Sequence, residues 1–417
     1  MALTGPGERR SRTSRPRAAQ GRVRQEQTAQ KRRIRKVYDL AMLSTALQPR
    51  RHTGRRYAIL LFLVVAAIAG WSLFWKYASD RAGDLIADWR AREAAAGRVY
   101  GCGSQTISGY PFRIEVACAP ASAEFRNFLP PLDIKLPRIL VAAQIYQPTL
   151  LISEFQGPVS VGAPGKAPEF EASWSLGRSS VRGLPAAPER VSLVFDAPEL
   201  DRLDGDRREV WLKAAHLELH ARMAAPAADG TAGVETALRL DQASIPGFHP
   251  AAAEPIDAVV DAVLRGVKDF APKPWPQRFR ELQAAGGRIE VTQARLAQGD
   301  ILAVGAGALT LNASGHLEGQ IRVTIAGLEQ FLDKIGAKEM VQSSPAMDKL
   351  AGALDRLAPG LGNAARQQLG ANLGAGINAL GQPTTLEGRR AVSLPLRVED
   401  GAMFLGPIPI GKTPALF

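Results

Sequence analysis

The chain has 417 residues with 52 Lys and Arg against 40 Asp and Glu, a formal net charge of +12 and a pI near 10.0. That balance alone would suggest a polyanionic partner, but residues 1–56 hold sixteen basic and three acidic side chains, leaving thirty-six basic and thirty-seven acidic ones in 57–417. The excess belongs to one tail, so nucleic acid is excluded as a partner of the body.

Residues 1–36 are rich in Arg, Ser, Gln and Gly and carry few large apolar groups, so they read as disordered. The segment 1–56 as a whole reads as a basic cytoplasmic tail. It either orients the chain or also lies on anionic lipid. A translation start at Met42 is an alternative, leaving LSTALQPRRHTGRR before the apolar run, enough for orientation. Residues 57–75, YAILLFLVVAAIAGWSLFW, carry no formal charge. As a helix of about 1.5 Å per residue they cross roughly 30 Å of hydrocarbon. Arg50, Arg51, Arg55 and Arg56 precede them and Trp71 and Trp75 stand at the far end, which predicts a single span with the N-terminus in the cytoplasm. A cleaved signal peptide fits less well, because the region before the run is too long and Lys76-Tyr77-Ala78-Ser79-Asp80 makes a poor cleavage site. Residues 76–97 read as an amphipathic connecting helix with Ala82, Leu85, Ile86 and Trp89 on its packing stripe, ended by Gly97.

Cys102 and Cys118 are the chain's two cysteines and bracket the turn Gly109-Tyr110-Pro111-Phe112. If the body faces an oxidising compartment such as a bacterial periplasm, they form one disulfide. Centring the hairpin on Tyr110 sets them directly opposite each other and puts Phe112, Ile114, Val116 and Cys118 on one face. A metal site lacks nearby histidines, and a redox pair is usually closer in sequence.

From residue 98 to 417 the chain reads as one β-rich body. Strands are predicted over 113–118, 138–143, 149–153, 169–176, 190–195, 209–221, 234–240, 288–294, 301–313, 317–326, 391–399 and 402–405. The order, without repeating strand-helix-strand units, predicts an antiparallel meander. In 309–325 the odd positions are apolar on both arms, which requires an odd loop; centred on Gly315 it puts Leu309 opposite Ile321. Helices are predicted over 256–268 and 327–380, the latter with a stripe of Leu350, Leu354, Leu357, Leu361, Leu369, Leu373, Ile377 and Leu380 interrupted by Pro359. The fold class is therefore α+β: one N-terminal transmembrane helix and a mainly antiparallel, curved sheet with C-terminal helices packed on it.

No segment carries a catalytic constellation. His216 and His220 have the spacing of a helical metal pair, but their surroundings alternate like a strand, which separates the rings by about 13 Å and predicts solvated histidines. Gly305 and Gly307 do not open a helix and so cradle no phosphate, and Asp201, Asp204 and Asp206 read as a polar surface turn. No catalytic residue, metal or cofactor is expected.

The Gly109–Glu115 element, its bracketing cysteines, Gln144-Ile145-Tyr146-Gln147-Pro148, Glu154-Phe155-Gln156-Gly157-Pro158 and the closing Asp400–Pro409 run resemble the bacterial envelope family catalogued as domain of unknown function 2125. The resemblance covers most of 60–410 and implies no catalytic residues. A looser similarity, carried by 309–328, is to AsmA-like envelope proteins and implies a curved sheet with an apolar interior suited to lipid chains. The sequence thus leads to a non-enzymatic, single-pass inner-membrane protein with a periplasmic body that binds or passes lipid or another apolar envelope component. The alternative is a structural or scaffolding partner of an envelope protein complex that carries no ligand.

Overall fold

The computed structural model describes residues 53–417 apart from 185, 248–249, 272, 338, 340–344, 358, 361, 365–366, 369–380 and 407. Residues 1–52 of the expected tail therefore lie outside the described residues, as do Leu361, Leu369, Leu373, Ile377 and Leu380 of the expected C-terminal stripe, while 53–56 of the tail are helical.

Helix α1 (Thr53–Ala95) is one uninterrupted element of 43 residues, about 65 Å long at 1.5 Å per residue. It runs through both segments expected as separate helices, because neither Gly70 nor Gly83 is accompanied by a proline or a capping side chain that would stop it. Gly97, at φ +77°, ends it. The chain divides into two compact units at Ser72/Leu73. The first is described from residue 53 as helix. The second carries the rest of α1 and everything beyond.

The second unit is built on strands β1 (Arg98–Ser108), β2 (Arg113–Phe125), β3 (Leu132–Leu136), β4 (Arg138–Gln144), β5 (Gln147–Gln156), β6 (Val159–Gly162) and β7 (Phe170–Ser173). Strands β8 (Leu176–Arg182), β9 (Arg190–Asp196), β10 (Glu199–Asp204), β11 (Arg207–Lys213), β12 (His216–Met223), β13 (Gly233–Ala243) and β14 (Ile256–Arg265) follow. After α2 (Trp275–Ala284) come β15 (Arg288–Gln298), β16 (Ile301–Leu311) and β17 (Leu317–Ala326). Helices α3 (Leu328–Lys334) and α4 (Pro345–Leu357) then precede β18 (Gln382–Leu386), β19 (Arg389–Glu399), β20 (Ala402–Leu405) and β21 (Ile408–Lys412).

All the pairings are antiparallel. The main ribbon runs β1, β2, β4, β5, β8, β9, β12, β13, β14, β15, β16, β17, β19, with β18 and β20 against β19 and β21 against β20. The far half of β2 starts a branch through β3, β6, β7, β10 and β11. Strand β2 runs unbroken from ribbon into branch, and β4, β5, β8, β9 and β12 are each joined end to end with a branch strand, so that these junctions line up along one crease. It passes through Ala119-Pro120, Pro137, Gly157-Pro158, Trp174-Ser175, Ala197-Pro198 and Ala214-Ala215. Proline removes a ladder donor, and four of these six points carry one. At the fourth, the Trp174 indole donates to Phe155 O at 2.9 Å and lies over Gly177, where a Cβ would collide with the ring.

Strand pairing departs from the sequence reading in three places, the first of them at this crease. The runs 169–176 and 209–221 are each two strands, not one. Cys102 stands opposite Ala121 and Cys118 opposite Gln105, so the cysteines are three positions off direct opposition, because the turn pairs Ser108 with Glu115 rather than with Phe112. Residues 256–268 are not helical. Val259, Val260 and Val263 fit a pleated surface better, and both edges of β14 are paired along its length, overriding the helix-like spacing. Helix α2, which the reading missed, carries proline in its first turn and buries Leu282.

In the hairpin of β16 and β17 the expected face is right but the register differs by two, with Leu309 opposite Gly319 and Ile321 opposite Gly307. The Asn312 Oδ1 accepts the Ser314 and His316 amides at 3.0 Å each, closing a five-residue loop on Ser314 rather than Gly315. On α1, Leu85 is 53% exposed, while Ser79 and Gly83 join Ala82 and Ile86 on the packed face.

The closed core sits at the C-terminal end. Ile325, Val392, Leu394 and Leu405 pack with Leu328 and Leu332 of α3, and with Ala337 and Ile408. Among the described residues, the largest side chains that are almost wholly buried are Leu332, Leu394 and Leu405, all in this cluster.

Candidate apolar binding face

Residues directly opposite in a ladder share a face, so the registers can be followed from strand to strand. One rung runs Ile107, Val116, Val141, Ser153, Ser179, Leu193, Leu219, Leu238, Val260, Ala294, Gly305, Val323, Leu394. The rungs two residues to either side repeat the character: Ile139, Phe155, Phe195, Leu217, Leu240 and Leu296 on one, Leu151, Val181, Val191, Ile321 and Leu396 on the other. Alternation within a strand signals this face in the sequence. Its continuity over thirteen strands depends on pairing and is legible only in the structure.

The face is covered at its ends. On the β1 side α1 packs over it, with Ile107 Cδ1 3.6 Å from where a Cβ on Gly83 would sit. On the β19 side α3 and its neighbours close the core described above. Between β4 and β15 its large side chains are half-buried, and Leu219 and Leu296 are each 37% exposed.

The opposite face carries ion pairs across strands, interspersed with Leu140, Val194, Val259 and Val304. Arg178 meets Glu154 at 3.4 Å, Arg222 meets Glu235, and Arg265 meets Glu290 at 3.1 Å. His216 and His220 are on β12, as expected, but are not simply solvated. His216 places Nδ1 2.6 Å from Asp196 and Nε2 2.8 Å from Glu218, and His220 Nε2 lies 3.3 Å from the other Glu218 oxygen. Hydrogen bonding to Glu218 and then Asp196 raises the His216 pKa, and the two imidazoles lower that of Glu218. Among the described residues no group of three His, Cys, Asp or Glu is arranged to hold a metal. Asp201, read as a surface turn residue, is instead buried, with Oδ2 2.7 Å from Arg208, which also reaches Glu171 at 2.6 Å.

A cavity of about 400 Å³ lies at the β14–α2 connection, lined by Lys268, Asp269, Lys273, Arg278, Glu281 and Leu282 among others. Four of its charges are matched, Lys273 to Glu281 at 2.9 Å and Arg278 to Asp269 at 3.0 Å. It does not suit an apolar ligand.

The Cys102 and Cys118 sulfurs are joined, with Cα atoms 5.5 Å apart, and no free cysteine remains. The Gly109–Phe112 turn has Gly109 at φ +102° and a cis Tyr110-Pro111 bond. It lies against α1, where the Trp75 Nε1 donates to Arg113 O at 3.0 Å and the Trp75 ring meets Tyr110 edge-on at 5.6 Å. Nothing in the spacing of Trp75 and Tyr110 foretells this contact.

The class defined by these features is an antiparallel β protein with one N-terminal helix long and apolar enough to cross a membrane, Gly54–Ala95 among the described residues. The chain belongs to the family described as Uncharacterized protein conserved in bacteria (DUF2125), whose model matches residues 75–414. No curated protein matches the chain.

Proposed function

We propose that this is a single-pass bacterial inner-membrane protein with a cytoplasmic N-terminus and a periplasmic body, and that the body binds or passes lipid or another apolar envelope component without catalysing a reaction. The observation that carries the reading is the three-rung apolar face, half-buried between β4 and β15 and, among the described residues, closed at its ends. An apolar surface of that extent in water is costly unless something covers it. Acyl chains fit because the face has no interrupting charge along its middle rung, while cross-strand ion pairs lie on the other side. The basic flank before the span and the joined cysteines after it support the orientation.

Native mass spectrometry and solvent extraction of the purified full-length protein test the ligand. Bound amphiphile at a fixed stoichiometry is expected. Repeated recovery of ligand-free protein, with the face instead covered by a second polypeptide, would favour the scaffolding role.

A further inference from the structure

We infer that the Gly109–Phe112 turn is seated in the bilayer surface, so that the first hairpin of the sheet grips the periplasmic leaflet beside the exit of the span. From Trp75 to Ala95 helix α1 rises about 30 Å, and from Arg98 to Ser108 strand β1 covers about 33 Å. The strand runs back along the helix, and contacts mark each level. Asn127 Nδ2 donates to Ala96 O at 2.9 Å at the top, and Trp89 stacks on Tyr100 with ring centroids 4.6 Å apart just below. Ile107 faces Gly83 further down, and Trp75 meets Tyr110 and Arg113 at the bottom. Helix and strand match in length, so the turn returns to the level of Trp75, the residue that closes the apolar run.

What the turn presents at that level suits an interface. Tyr110 is 51% and Phe112 62% exposed. The neighbouring β4–β5 turn, tied in by the Ile145 amide to Phe112 O at 3.0 Å, adds Tyr146 at 74%. Aromatic rings with one apolar and one wet end concentrate at headgroup depth. Arg113, next in sequence and 61% exposed while paired with Glu115 at 2.8 Å, is placed to reach lipid phosphate. Phe112 shares its face with Ile114 and Val116, so the seated turn is continuous with the apolar rungs of the sheet. The inference stands without the lipid-carrying reading, since a turn can sit in the membrane whether or not the sheet beyond it holds a ligand.

The test uses the full chain in vesicles of phosphatidylethanolamine and phosphatidylglycerol. The native cysteines are joined, so a nitroxide attached to F112C or Y146C labels one site, and L129C, at a position 93% exposed and beyond the far end of β2, serves as the control. The labels at 112 and 146 should show a collision ratio shifted toward oxygen and away from a polar nickel chelate, with the label at 129 shifted the opposite way. Equal profiles at 112 and 129 would overturn the inference, as would protection of 112 from both relaxants, which means protein covers the turn. Benzoylphenylalanine in place of Tyr110 gives a second readout without thiol chemistry. Lipid adducts are expected, and adducts to protein alone contradict the seat. Ligand-free protein whose turn is immersed would sink the carrier reading and leave this one standing.

Discussion

Shortening Leu219 and Leu394 to alanine should have very different consequences, although both lie on the same rung of the sheet. Leu394 is 2% exposed inside the α3 cluster. Its truncation leaves a cavity that its neighbours cannot fill, at a cost of about 2–5 kcal/mol. Leu219 is 37% exposed between Leu193 and Leu238. Full burial of a leucine is worth about 1.5–3 kcal/mol, so losing most of a partly buried one, with no enclosed void left, costs about 1 kcal/mol. Urea titrations of the detergent-solubilised full-length variants, followed by far-ultraviolet circular dichroism, measure both. Comparable losses at the two positions would refute the argument, because they would mean that Leu219 is part of a filled core and the face is not open to a ligand.

Replacing Cys102 and Cys118 together by serine should lower stability by about 3 kcal/mol on the chain-entropy model for a separation of 16 residues, read as a shift in the same titration. Gly83→Ala should leave stability unchanged or raise it by up to about 1 kcal/mol, because a helix gains from the exchange and the new methyl would meet Ile107 Cδ1 at an ordinary 3.6 Å. A lower melting temperature would contradict that packing. The pKa of His216 is raised in the folded state, chiefly by hydrogen bonding to Glu218, so its stabilising contribution is complete below the unfolded histidine value near 6.5 and is lost as pH rises through the raised value. Melting curves of H216Q should lack this decline, and an identical pH profile in both proteins would show that the Asp196–His216–Glu218 pairing contributes nothing.

The sequence carries the parts of this fold that rest on local chemistry. An uncharged run between arginines and tryptophans reads as a membrane helix without help, and alternation in 309–325 fixes which side chains share a face. What it conceals depends on the partners of each strand. The register of that hairpin is set by the Asn312 side chain closing its own loop. The cysteines are offset because the turn pairs Ser108 with Glu115, a register that then holds unbroken to Arg98 opposite Phe125. Residues 256–265 have a spacing that either element could satisfy, and pairing on both edges decides for a strand. For the candidate site the apolar positions of each strand are visible one by one. That they join from Ile107 to Leu394 follows only when every register is known, and the docking of the turn on Trp75 requires the folded helix and hairpin together.

The proposal that lipid lies against the middle of the sheet is tested most directly by photocrosslinking in living cells. Benzoylphenylalanine at Leu219, on the apolar rung, should yield lipid adducts on ultraviolet exposure, while the same group at Arg178, on the charged face, should yield none. Adducts to other proteins alone at position 219, or equal lipid labelling at both positions, would contradict the account.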